Sequence, residues 1–139
     1  MASVVIIGGG PGGYEAALVA AALGAEVTLV DSDGLGGSAV LTDCVPSKAL
    51  VAVADVMDEV VDSRALGVRF EGVTTVDLAV VNRRVRELAS AQSADVERHL
   101  AVDGVRVLAG RARLDGPHRV VADMAAGGVE TLAADAVLV

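Results

Sequence analysis

The feature that most constrains this chain is GGGPGG, residues 8–13, set between an apolar run, SVVIIG at 3–8, and an apolar stretch over 12–23. It spells Gly8-x-Gly10-x-x-Gly13. In such a loop Gly8 permits the tight turn and Gly10 lets the backbone approach a pyrophosphate. Gly13 allows a helix to pack closely on a strand. Gly9, Pro11 and Gly12 complete the loop, and the helix N-terminus offers free N–H groups to phosphate oxygens. A second strand, AEVTLVD at 25–31, ends in an acid. Asp31 follows Gly13 by 18 residues, close to the spacing at which a carboxylate meets a ribose hydroxyl. Strand, helix and strand make one βαβ unit that binds a dinucleotide, either NAD or FAD.

The rest of the chain reads as follows. Residues 32–43 are a loop, and 45–61 form a helix with Pro46 in its first turn. LGVRF at 66–70 is a short extended piece. A long helix covers 76–104 and stops at Gly104. Strands follow at 105–114, 118–123 and 128–133, joined by turns at Gly116-Pro117 and Gly127-Gly128, and DAVLV closes the chain at 135–139. The helix at 12–23 is apolar nearly all round and should be covered on several sides. The fold expected is α/β and Rossmann-like: a parallel sheet, helices on both faces and a small antiparallel β portion.

Composition removes several functions. The net charge of −8 disfavours a nucleic-acid backbone, and Tyr14 and Phe70 alone make no stacking platform for single strands. No apolar run approaches the roughly 20 residues of a membrane span, and no signal peptide opens the chain. With one cysteine in 139 residues, no disulfide is expected and a reducing cytoplasm suits the chain. No cluster has metal-ligand spacing. His99 and His118 read as ordinary surface residues, and the charged positions of the long helix as a solvated face.

The single cysteine and the single lysine fall together in GGSAVLTDCVPSK, residues 36–48. On this segment and the glycine loop, the chain resembles the N-terminal FAD-binding part of the flavoprotein disulfide reductases. That family includes dihydrolipoamide dehydrogenase, glutathione reductase and mercuric reductase. Its segment reads GGTCxxxGCxPSK. Gly36, Gly37, Cys44, Pro46, Ser47 and Lys48 match it, and Ser38 is a close replacement. The departures are Ala39, where the family has its first redox cysteine, and Asp43, where it has glycine. Disulfide exchange needs a second thiol to resolve the mixed disulfide, so the family's usual relay is closed to this chain. An actinobacterial subgroup of lipoamide-dehydrogenase-like quinone reductases has a segment resembling GGxAVLxDCVPSK, which this chain matches better.

The resemblance implies an FAD site at Gly8, Gly9, Gly10, Pro11, Gly12, Gly13, Asp31, Ser32, Gly36, Gly37, Ser38, Cys44 and Lys48. The backbone around Arg111 and Ala112 would meet the adenine. It places Cys44 and Lys48 beside the flavin ring, with Lys48 the catalytic group that favours the reduced, anionic form. Cys44 is then either functional or an inert relic. NAD(P)H would be the co-substrate, a quinone the acceptor, and the full-length protein a cytoplasmic homodimer. Family members continue into NAD(P)H and dimerisation domains, so residues 1–139 are expected to be the first part of a longer enzyme. Two other functions stay open: a single-cysteine sulfenic NADH oxidase or peroxidase, and a non-catalytic nucleotide-binding fragment.

Overall fold

The computed structural model describes residues 1–139. Its elements are β1 (Ser3–Ile7), α1 (Pro11–Ala22), β2 (Glu26–Asp31), α2 (Gly37–Leu41), α3 (Cys44–Ser63), α4 (Leu78–Val102), β3 (Arg106–Leu114), β4 (Arg119–Met124), β5 (Val129–Ala133) and β6 (Ala136–Leu138). The strands form one sheet in the order β5-β4-β3-β2-β1-β6. β1 pairs in parallel with β2 and β6, and β2 pairs in parallel with β3.

β3 belongs to two halves of the sheet. Residues 106–109 pair with β2, while residues 110–114 pair antiparallel with β4, which in turn pairs with β5. The changeover falls at Gly110, where an added Cβ would lie 2.5 Å from the Asp123 carbonyl oxygen. The β3–β5 meander curls over the parallel strands, and Arg106 donates to both carboxylate oxygens of Glu130, at 2.7 and 3.1 Å, across the fold-over.

Strand alternation separates two cores. On one face Val5, Val30 and Leu108 meet Val120, Ala122, Leu132 and Ala134 of the meander side. On the other Ile6, Val27 and Leu29 meet Ala17 of α1, Leu35, Leu100 of α4 and Val105. Helices therefore cover one face, and the meander covers the face where further helices were expected. α1 packs on β1, β2 and α4 but is not covered all round: Val19, and Leu23 just past its end, stay exposed.

The helix ends follow their sequences. Pro11 starts α1, where its missing N–H costs nothing. Asp77 caps α4 by accepting from Ala79 and Val80 N–H at 2.9 and 3.1 Å. Gly104, at φ +75°, ends α4, and Val105 N–H returns to the Leu100 carbonyl at 2.9 Å. Two expectations fail locally. Residues 37–41 form α2 rather than loop, after Gly36 and Gly37 both take positive φ. Residues 66–70 pair with no strand: Leu66 ends a 3-10 turn (Arg64–Leu66) and Gly67 takes φ +88°.

Candidate functional site

The C-terminal ends of β1 and β2 and the end of the parallel half of β3, at Ala109, lie on one edge of the sheet, and the glycine loop sits there between β1 and α1. Gly8 takes φ +105° and donates its N–H to the Val30 carbonyl at 2.8 Å, which fixes the turn to β2. A Cβ on Gly13 would stand 1.8 Å from the Gly8 carbonyl oxygen, so α1 lies as close to β1 as backbone allows. At Gly10 and Gly12 an added Cβ would meet no protein atom within 4 Å. The loop is therefore closed on the protein side and open on the other. Pro11 is exposed at the head of α1.

Asp31 is the hub of this edge. Its Oδ2 accepts the Gly9 N–H at 2.7 Å, and its Oδ1 accepts the N–H of Asp33 and Gly34 at 2.9 and 2.6 Å. One carboxylate thus ties the glycine loop to the turn after β2. Three of its roughly four acceptor positions are used, which leaves one on Oδ2 for a hydroxyl donor. Ser32 is exposed and donates to Asp33 at 3.2 Å. Leu35, unremarked in the sequence, is buried and fills the space beside Gly9: a Cβ there would lie 2.7 Å from Leu35 Cδ2. An apolar residue inside a polar loop was the available signal.

The cysteine segment joins the same edge. Gly36 N–H donates to the Gly9 carbonyl at 2.8 Å, and a Cβ on Gly37 would lie 2.9 Å from Gly10 Cα. Ser38 is exposed in the first turn of α2. Cys44 is the first residue of α3 and Lys48 stands one turn later, so both share one helix face and both are exposed. Asp31 is in register with Ala109, which sets buried Gly110 and then Arg111 and Ala112 just past the carboxylate on β3. Arg111 is exposed and Ala112 half-buried. Gly8–Gly13, Asp31, Gly36 and Gly37 thus meet along one edge, and Cys44 and Lys48 follow on α3.

This geometry fits a dinucleotide: an open glycine loop before a helix N-terminus, with a carboxylate and a strand end beside it. The sequence model for pyridine nucleotide-disulphide oxidoreductases matches residues 2–139. The chain belongs to that family. Among family relatives, the NAD(P)H dehydrogenase (quinone) of Mycobacterium tuberculosis is 44% identical over 146 residues, covering 98% of this chain and 30% of that protein. The dihydrolipoyl dehydrogenase of Chlorobaculum tepidum is 40% identical over 136 residues, covering 98% and 29%. The crystal structure of LpdA from Mycobacterium tuberculosis superposes with a TM-score of 0.86 at 42% identity, covering 99% of this chain and 31% of that one. The fold is thus the Rossmann-like one of that structure, and the chain spans under a third of these relatives' lengths. No helix is long and apolar enough to cross a membrane.

Proposed function

We propose that this chain is the FAD-binding segment of an NAD(P)H:quinone reductase that works without a redox-active disulfide. The observation that carries the proposal is Ala39, half-buried on α2 where the wider family has its first redox cysteine, in a chain whose sole sulfhydryl is Cys44. One thiol cannot open and close an intrachain disulfide. The quinone dehydrogenase relative, at 44% identity, supports the same assignment.

In this reading each residue group has a task. The α1 N-terminus and the backbone of Gly8–Gly13 hold the pyrophosphate, with Gly10 and Gly12 giving it room. Asp31 Oδ2 accepts a ribose hydroxyl, and Ser32 stands beside it. The backbone at Gly110–Ala112 faces the adenine. Gly36, Gly37 and Ser38 line the way from the phosphates to the ring, where Cys44 and Lys48 meet it. Bound FAD supplies the two-electron chemistry between NAD(P)H and the quinone. Lys48 places a cation where negative charge develops. The NAD(P)H site and the homodimer contact belong to the longer protein, in a reducing cytoplasm that keeps Cys44 as a thiol.

The test is a paired assay of the full-length protein with NADH and NADPH. Quinone reduction with little lipoamide reduction is expected. Brisk lipoamide reduction without quinone activity would sink the proposal. The exposure of Cys44 keeps a sulfenic peroxidase as the second reading. Under that reading Cys44→Ser abolishes peroxide reduction, whereas under ours it leaves quinone turnover within about twofold.

A further inference from the structure

β6 is three residues long, lies at the sheet edge and pairs with β1 alone. Only Val137 of β6 turns inward, onto the core around Val5, so the strand's own pattern specifies its register weakly. The bonds that specify it stand just before the strand, at the end of β1 opposite the glycine loop. Asp135 Oδ2 accepts the Ser3 N–H at 2.8 Å and the Ser3 hydroxyl at 3.0 Å. In return the Asp135 N–H donates to the Ser3 carbonyl at 3.0 Å and to the hydroxyl oxygen at 3.1 Å. One residue earlier, the Ala134 N–H donates to the His118 carbonyl at 3.0 Å, and the Ala134 carbonyl accepts from His118 Nδ1 at 3.1 Å. Ser3 at the start of β1 and His118 just before β4 thus grip successive residues of the elbow between β5 and β6. His118, which the sequence suggests is an ordinary surface residue, has a specific partner.

We infer that Ser3, His118 and Asp135 form a clasp that positions the nucleotide edge from the far end of the sheet, with Asp135 its central positioning residue. The inference rests on the FAD-binding reading and adds residues that never touch the cofactor. Two consequences of the geometry carry it. Leu138 is in register with Ile6, two residues before Gly8, so β6 delivers the chain beside the glycine loop. A one-residue slip would move that end by about 3.3 Å along β1 and turn Val137 out of the core. The clasp also gives the meander a second anchor on the parallel strands. The first is β3 itself, through the bend at Gly110, and the second is the elbow bonded to β1. Loosening the elbow frees the strand end at Gly110–Ala112 to shift against the glycine loop.

The test measures the Kd for FAD of the full-length apoprotein at neutral pH, with the visible circular dichroism of the bound flavin and the Tm of each variant. Asp135→Ala removes the acceptor, Ser3→Ala removes the hydroxyl but keeps the N–H, and Ser3→Thr restores a hydroxyl. Val105→Ala, in the other core, is the control for lost stability alone. The Kd should rise about fivefold for Asp135→Ala and about threefold for Ser3→Ala, the scale of one or two hydrogen bonds, with an altered flavin circular dichroism. Ser3→Thr should stay within twofold of wild type. The double variant should stay within twofold of Asp135→Ala, because both changes act through one clasp. Val105→Ala should lower Tm yet leave the Kd within twofold. Should Asp135→Ala not fold, Ser3→Ala and His118→Phe decide the matter. Clasp variants that all bind within twofold of wild type overturn the clasp and leave the FAD-binding reading standing, as does a Val105→Ala protein that loses FAD as readily as they do. A wild-type apoprotein that takes up no FAD overturns both.

Discussion

Replacing Gly13 by alanine isolates the contact that brings α1 onto β1. The new methyl would stand 1.8 Å from the Gly8 carbonyl oxygen and 3.0 Å from its carbon. Carbon and carbonyl oxygen ordinarily meet at about 3.3 Å, so the helix start or the loop must move by about 1.5 Å. Neither is free to do so. Gly8 N–H is bound to Val30 and Tyr14 N–H to Gly10, at 2.8 and 3.0 Å. Overpacking costs about 1–3 kcal/mol, and a loosened backbone hydrogen bond adds about 1 kcal/mol. The better helix propensity of alanine returns up to about 1 kcal/mol. The net loss is about 1–4 kcal/mol, or a Tm fall of about 3–12 °C for a chain of this size. Gly12→Ala is the internal control, because its methyl meets nothing within 4 Å. It should leave Tm unchanged or raise it slightly. Thermal melts of both apo-variants, followed by circular dichroism, decide the matter. A Gly13→Ala protein melting within 2 °C of wild type, or a Gly12→Ala protein falling as far, refutes the packing argument.

Three further outcomes follow from the site. Asp31→Ala strips the acceptor from three backbone N–H groups; it should cost about 1–3 kcal/mol in urea unfolding and weaken FAD retention, with Asp31→Asn in between. Asp135 has its carboxyl held below the usual range chiefly by the backbone N–H of Ser3, then by the Ser3 hydroxyl. Its pKa is depressed on folding, so its contribution is present above the unfolded value near 3.8 and fades as pH falls through the lower folded value. Urea midpoints of Asp135→Asn should therefore show a shallower acid slope below about pH 4; an unchanged slope removes the Asp135–Ser3 contact from the account. Lys48→Met, at an exposed position, should leave Tm within 1–2 °C, roughly the neutral range for surface changes, yet lower the reduction potential of bound flavin in a spectroelectrochemical titration. An unshifted potential means the cation does not reach the ring.

Much of the site was legible because its chemistry is local. Gly8, Gly10 and Gly13 announce a turn, an open approach and a close packing from spacing alone, and the structure finds each at its position. The α4 boundaries were readable within two residues because Asp77 caps one end and Gly104 terminates the other. α2 was not legible. Its five residues, GSAVL, begin on the second of two glycines and hold too few turns to show a helical period. Residues 66–70 misled because two β-branched or aromatic residues near a glycine look extended, while a strand exists only where a neighbour offers a ladder.

The sequence by itself determined the candidate nucleotide edge. Glycine spacing, the acid ending β2 and the missing first cysteine are properties of adjacent residues, and local geometry carries them into the fold unchanged. Tertiary structure alone decided how the second face of the sheet is covered, since Val120, Ala122 and Leu132 would suit any apolar partner and only the turn-over at Gly110 brings them onto Val5 and Val30. It alone decided that Tyr14, Val45 and His99 share a groove. Burial is a sum over segments distant in the chain, and no local pattern encodes which of them will meet.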